Sequence, residues 1–156
     1  MTDGAGRPRE GTVLQGGRWK AYRPLPPEAR RAALAQGLAA YDHGAYFEAH
    51  ELLEPAWMGT DDLSERALHQ GLIKLAAAHV HRDRRNPAGF RKNLRGARSR
   101  LADAIDGGAD EAGLDLPALV EAIDDSLAAL DDLDVREPGW TTEDLPRPIA
   151  IPRRPG

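Results

Sequence analysis

A chain of 156 residues, 41% hydrophobic and 29% charged with a net charge of −4, has the balance of one ordinary globular domain, able to bury about 70% of its unfolded surface. Cysteine is absent, which excludes disulfides and thiolate metal sites, so a metal would need histidine and carboxylate ligands. The opening residues MTDGAGRPREG are polar with no apolar core, and no apolar run nears the roughly 20 residues of a membrane span, so a soluble cytoplasmic protein without membrane contact is expected.

Residues 1–24 read as a flexible arm, with Trp19 and Tyr22 as anchors onto the domain. Pro26 and Pro27 open a first helix in which Ala33, Leu34, Leu38 and Tyr41 recur at helical spacing before Gly44 stops it. A second helix runs from Tyr46 to about Trp57. Asp61 or Asp62 can cap a long third helix, with Leu68, Leu72, Leu75 and His79 on one stripe. Asn86 followed by Pro87 opens a fourth, because asparagine caps and proline suits the first helical position. That helix ends near Ile105, at Gly107 and Gly108. Asp115, Leu116 and Pro117 open a fifth, lined by Leu119, Ile123, Leu127 and Leu130. From Glu137 onward five prolines exclude a helix or a central strand. No segment alternates convincingly with period two. The expected fold is therefore all-α: one compact bundle of about five helices over residues 25–135, no sheet, and an extended proline-rich tail over 136–156. Trp140 and Ile149 to Ile151 would pin that tail to the body or to another subunit.

Charge is distributed unevenly. Arg82 to Arg100 holds eight basic residues and one acid, whereas Leu101 to Asp144 holds fourteen acids and one base. Such blocks read as a basic helix packed near an acidic one, or as two solvated faces. The sharper alternative is a phosphate-binding surface at Arg91, Lys92, Arg95 and Arg98, but only Phe90 accompanies it, and nucleic-acid domains usually interleave aromatics and are basic overall.

The segment GAYFEAHELLEPAW, Gly44 to Trp57, carries the chemistry. At about 100° per residue, Tyr46, Ala49, Leu53, Ala56 and Trp57 form an apolar arc, with His50, Glu51 and Glu54 as neighbours at its edge. On the third helix Gln70, Lys74, Ala77 and His81 form a separate stripe. Histidine and carboxylates one turn apart, with a histidine from a neighbouring helix, can bind a divalent metal; the metal candidates are His50, Glu54 and His81. HELLE is not the HExxH of zinc proteases, because a glutamate stands in the second histidine's place. The alternative is a structural network in which His50 and Glu54 satisfy backbone ends or the indole N–H of Trp57, and a ligand or peptide pocket is the third reading. His43 and His69 read as a turn residue and a packed residue.

In order along the chain, Gly44, Tyr46 to Glu51, Leu53, Glu54 and Trp57, then Gln70 to Ile73, Leu75 to Ala78 and His81, then Asn86 and Gly89 form a pattern. It resembles the bacterial and archaeal family known as Domain of Unknown Function 309. The resemblance covers about Arg30 to Leu101. It implies a small helical bundle and brings no established activity. Pro55 departs from it, inside a helix expected to continue; proline lacks the donor and clashes with the carbonyl four residues back, so a kink or an early end is expected.

Three functions follow. The first is a small non-enzymatic bundle acting through protein or ligand binding, as a homo-oligomer or with a partner held by Trp140 and the tail. The second is a metal-dependent, hydrolase-like enzyme using His50, Glu51, Glu54 and His81. The third, and least favoured, is a nucleic-acid accessory using the Arg91 to Arg100 face.

Overall fold

Four of the five helices begin where a capping side chain or a proline makes a start inexpensive. The computed structural model describes residues 11–15, 17–110, 112–133, 136 and 139–155, and the backbone of 2–3 and 7–8. Helix α1 (Pro27–Asp42) has proline at its first position, and α2 (Tyr46–Met58) follows after Gly44, whose φ of +78° turns the chain. Asp62 caps α3 (Leu63–Asp83) by accepting from the Glu65 amide at 2.9 Å. Asn86 does the same for α4 (Pro87–Asp106) through Gly89, at 3.0 Å, and Asp115 for α5 (Leu116–Asp132) through Ala118, also at 3.0 Å.

Helix α3 packs on both α2 and α4, α1 on α2, and α5 on α4. Leu68, Leu72, Leu75, Ala76 and His79 of α3 are buried, as are Phe90, Leu94, Ala97, Leu101 and Ala104 on one stripe of α4. Two glycines set how closely helices approach. A Cβ at Gly37 would fall 2.5 Å from Leu53, and one at Gly71 would fall 2.8 Å from Leu101. Because interiors are packed at crystal-like density, Leu72→Ala should lower the unfolding free energy by about 2–5 kcal/mol. Urea titration measures this, and a loss of under about 1 kcal/mol would remove Leu72 from the core.

Helix α2 runs through Pro55 to Met58 instead of ending early. Pro55 is exposed, and its missing donor falls in the last turns. After it, the carbonyls of Met58 and Gly59 accept from Arg23 and Leu25 at 2.9 and 3.0 Å. The chain crosses so closely that a Cβ on Gly59 would sit 2.5 Å from the Leu25 Cβ.

The expectation of no sheet is corrected at the N-terminal arm. Strands β1 (Thr2–Asp3) and β2 (Arg7–Pro8) pair, and β3 (Thr12–Gln15) and β4 (Arg18–Ala21) form an antiparallel hairpin. Period-two reading misses the hairpin because its inward residue is polar. Gln15 is buried while Leu14 faces outward, 45% exposed.

The tail lies extended on the chain's own bundle. Leu145, Ile149 and Ile151 are buried, and Tyr41 Oη donates to the Ile149 carbonyl at 2.5 Å while the Ile149 amide donates to His79 Nε2 at 3.1 Å. Arg82 donates to the carbonyls of Pro146 and Thr142, at 2.7 and 3.3 Å. The Arg85 guanidinium lies 4.8 Å over the half-buried Trp140 ring. Residues 137, 138 and 156 of the tail, and most of the first ten residues, lie outside those described. Among the described residues, no helix is long and apolar enough to cross a membrane.

Candidate functional site

The outer face of α2 is set by helix periodicity alone. Tyr46, Ala49, Leu53 and Ala56 turn toward the body, which leaves Phe47, His50, Glu51 and Glu54 on the opposite edge. One potential ligand atom from each of His50, Glu51 and Glu54 lies within 4.8 Å of the others. His50 Nδ1 is 3.5 Å from Glu51 Oε1, is shielded from solvent, and has no hydrogen-bond partner among the described residues. The Phe47 ring, 61% exposed, stacks on the imidazole with centroids 6.4 Å apart.

This donor set suits a divalent cation. Two metal–ligand bonds of about 2.0–2.2 Å span at most roughly 4.4 Å, so small side-chain rotations would close the three ligands around an ion. Imidazole with carboxylates fits zinc and similar first-row metals.

The other residues singled out in the sequence lie in different surroundings. The three-residue group does not include His81. Its Nδ1 faces Asn86 Nδ2 at 3.1 Å, and a Cβ on Gly89 would fall 2.6 Å from it, so it belongs to the α3–α4 corner. Gln70 accepts from Gln15 Nε2 at 2.9 Å, under the hairpin. The indole N–H of Trp57 donates to Gln15 Oε1 at 3.3 Å. His43 Nδ1 meets the Ala39 carbonyl at 2.7 Å at the exposed end of α1.

A second polar cluster escaped the sequence reading. Arg66, 0% exposed, donates to Gln15 Oε1 at 3.1 Å and to the carbonyls of Thr60 and Ala21 at 3.0 and 3.3 Å. Its guanidinium sits 5.1 Å from the Trp57 ring centroid. Beside it Glu65 receives Arg30 at 2.7 Å, the Thr60 hydroxyl at 3.1 Å and His69 Nε2 at 3.4 Å. The His69 hydrogen bond, then the hydrogen bond and charge of Arg30, hold the Glu65 carboxyl down at about 2, against the opposing effect of its partial burial. The cluster fastens the hairpin to α1, α2 and α3. Its one sequence signal is an arginine beside the apolar stripe of α3, and that reads as solvated until its neighbours are known.

The α4 bases and α5 acids meet directly. Arg91 pairs with Asp131, and Arg98 with Asp124 at 2.5 Å. These two pairs join part of the basic block to part of the acidic block across the α4–α5 contact.

Fold and face together define a small helical bundle with a histidine–carboxylate group on its surface. Residues 34–93 match the family described as Domain of unknown function (DUF309). The matched segment runs from within α1 to the early turns of α4, and the chain is similar to that family over it. It matches no curated protein and no solved structure.

Proposed function

We propose that this is a cytoplasmic binding protein whose ligand face is the outer side of α2, and that a divalent cation is what His50, Glu51 and Glu54 take. The supporting observation is the shielded Nδ1 of His50, without a hydrogen-bond partner among the described residues and gathered with two carboxylates within 4.8 Å. Three protein ligands leave further coordination positions for water or for a donor from another molecule. Phe47 beside them supplies exposed apolar surface for that contact.

The test is calorimetric titration of zinc and manganese ions into the metal-stripped full chain, with elemental analysis of the protein as purified. The wild type should bind about one ion, and His50→Ala should weaken binding at least tenfold while the melting temperature of the metal-free protein stays within about 2 °C. Equal binding by wild type and His50→Ala would remove the site.

A hydrolytic use of the same ion is the second reading. It is favoured by a groove of about 460 Å³ beside Phe47, lined also by Gly44, Tyr46, Glu48, Val80 and Arg84. Turnover of an activated ester by the zinc-loaded chain, absent in His50→Ala, would decide for it. The nucleic-acid reading is weakened because Arg91 and Arg98 are already engaged by α5.

A further inference from the structure

Most of the arginines on α4 have an acid within reach, but among the described residues three lysines nearby do not. Lys92, Gly96 and Arg100 follow one another at four-residue spacing along α4, a row of about 12 Å at 1.5 Å per residue. Lys74 of α3 crosses that row at its midpoint. A Cβ built on Gly96 would fall 2.9 Å from Lys74 Cδ and 3.5 Å from both Cε and Nζ. Glycine inside a helix costs up to about 1 kcal/mol relative to alanine, and here it makes room for a lysine stem.

Lys20 of β4 lies on the same face of the hairpin as Gln15, which bonds Gln70 one turn before Lys74 on α3. Lys74 is held below the ordinary lysine range first by its partial burial, then by the charges of Arg100, Lys92 and Lys20. Among the described residues, none of Lys20, Lys74 and Lys92 has a carboxylate at ion-pair distance. Arg100 has one, Asp103, at 3.8 Å and exposed. Arg100 and Asp103 also line a cleft of about 240 Å³ with Gln15, Ser64 and Ala67.

We propose that Lys20, Lys74, Lys92 and Arg100 form a binding site for an oligophosphate, a small ligand with two or more linked phosphate groups. Like charges this close repel one another, and in a chain of net charge −4 their convergence from β4, α3 and α4 leaves a concentrated positive field for a polyanion to neutralise. Lys74 is the centre because its ammonium is already partly stripped of water, which strengthens its pairing with an anion. The length of the row favours a short ligand over a nucleic-acid strand. Asp103 adjoins Arg100 at one end, and the Asp124 and Asp131 carboxylates occupy the flank of α4 that faces α5.

The experiment is calorimetric titration of inorganic triphosphate into the full chain at low ionic strength. A chelator is present, so the α2 face takes no part. Triphosphate should bind, and Lys74→Gln and the exposed Lys92→Gln should each weaken it about tenfold, the weight of one charge-assisted contact. Arg98→Gln, on the α5 flank, should change it less than about twofold. Binding should also fall as salt is raised. Thermal melts of Lys74→Gln and Lys92→Gln separate loss of site from loss of fold, and Lys92→Gln decides if Lys74→Gln does not fold. Absence of binding at low salt would overturn the proposal, as would equal weakening by Arg98→Gln. So would an oligothymidylate that binds more tightly than triphosphate, which would make this a nucleic-acid surface instead.

Discussion

Arg66→Met should lower the melting temperature by roughly 10 °C and release the N-terminal hairpin. Arg66 is fully buried and donates to the carbonyls of Thr60 and Ala21 and to Gln15 Oε1. Methionine fills a similar volume without donors, so both carbonyls lose a partner inside the protein, at about 1–3 kcal/mol each. Relief from burying a cation offsets part of this, which leaves a net loss of about 3 kcal/mol, and each kcal/mol shifts the melt by about 2–4 °C in a domain of this size. Arg66→Lys should be nearly as damaging, because an ammonium cannot reproduce the planar fork that reaches three acceptors at once. Amide exchange at Thr12 to Gln15 and Arg18 to Ala21 should accelerate together in both variants. An unchanged melt with unchanged hairpin protection would show that Arg66 does not hold the arm in place.

The second large effect should come from acid. His79 accepts the Ile149 amide through Nε2, so the neutral ring carries its proton on Nδ1. Burial, and then the charge of Arg82, push its pKa down from 6.5 to about 4. The folded protein therefore resists a proton that the unfolded chain takes up at about 6.5. Stability from this source is complete above pH 6.5 and is lost as the pH falls through the folded-state value of about 4. The loss is about 3 kcal/mol at 1.36 kcal/mol per pKa unit. Glu65, held at about 2 against 4.5, has the same sign in a lower window. Its contribution is present above pH 4.5 and disappears as the pH falls toward 2.

Protonated His79 can no longer accept from Ile149, so the tail should loosen first. Urea unfolding at several pH values should show stability falling between 6.5 and 4 in the wild type and a much smaller slope there in His79→Gln. Ile149→Ala, which empties a site among Tyr41, His79 and the core, should cost about 2–4 kcal/mol at neutral pH. Equal slopes in wild type and His79→Gln would show that His79 is not the group responsible.

Much of this architecture is written in short stretches of chain. The caps Asp62, Asn86 and Asp115 bond to amides three residues away, and Gly44 and Gly108 take positive φ where helices end. Such signals act within one helical turn, so five helices and their buried stripes were legible without knowing how they pack. His50, Glu51 and Glu54 were legible as a group for the same reason, since helical geometry alone makes residues three and four apart neighbours, as Glu51 and His50 are to Glu54. Pro55 was readable as a perturbation but not in its outcome, because the carbonyls beyond it are satisfied by Arg23 and Leu25 from another part of the chain.

What the sequence could not determine lies in contacts between residues far apart along it. Gln15 meets Gln70 across 55 positions, Arg66 reaches back 51 to Gln15, and the Ile149 amide finds His79 across 70. A buried arginine and an exposed one have the same local pattern, and so do a tail that docks and one that does not. Which of them holds depends on whether partners arrive to satisfy the polar groups as water leaves, and only the packing of α1 to α5 with the hairpin and tail brings those partners into place. The sequence by itself determined the helices, their caps and the α2 face; the tertiary structure decided which polar side chains became interior ties and which cations were left without an acid.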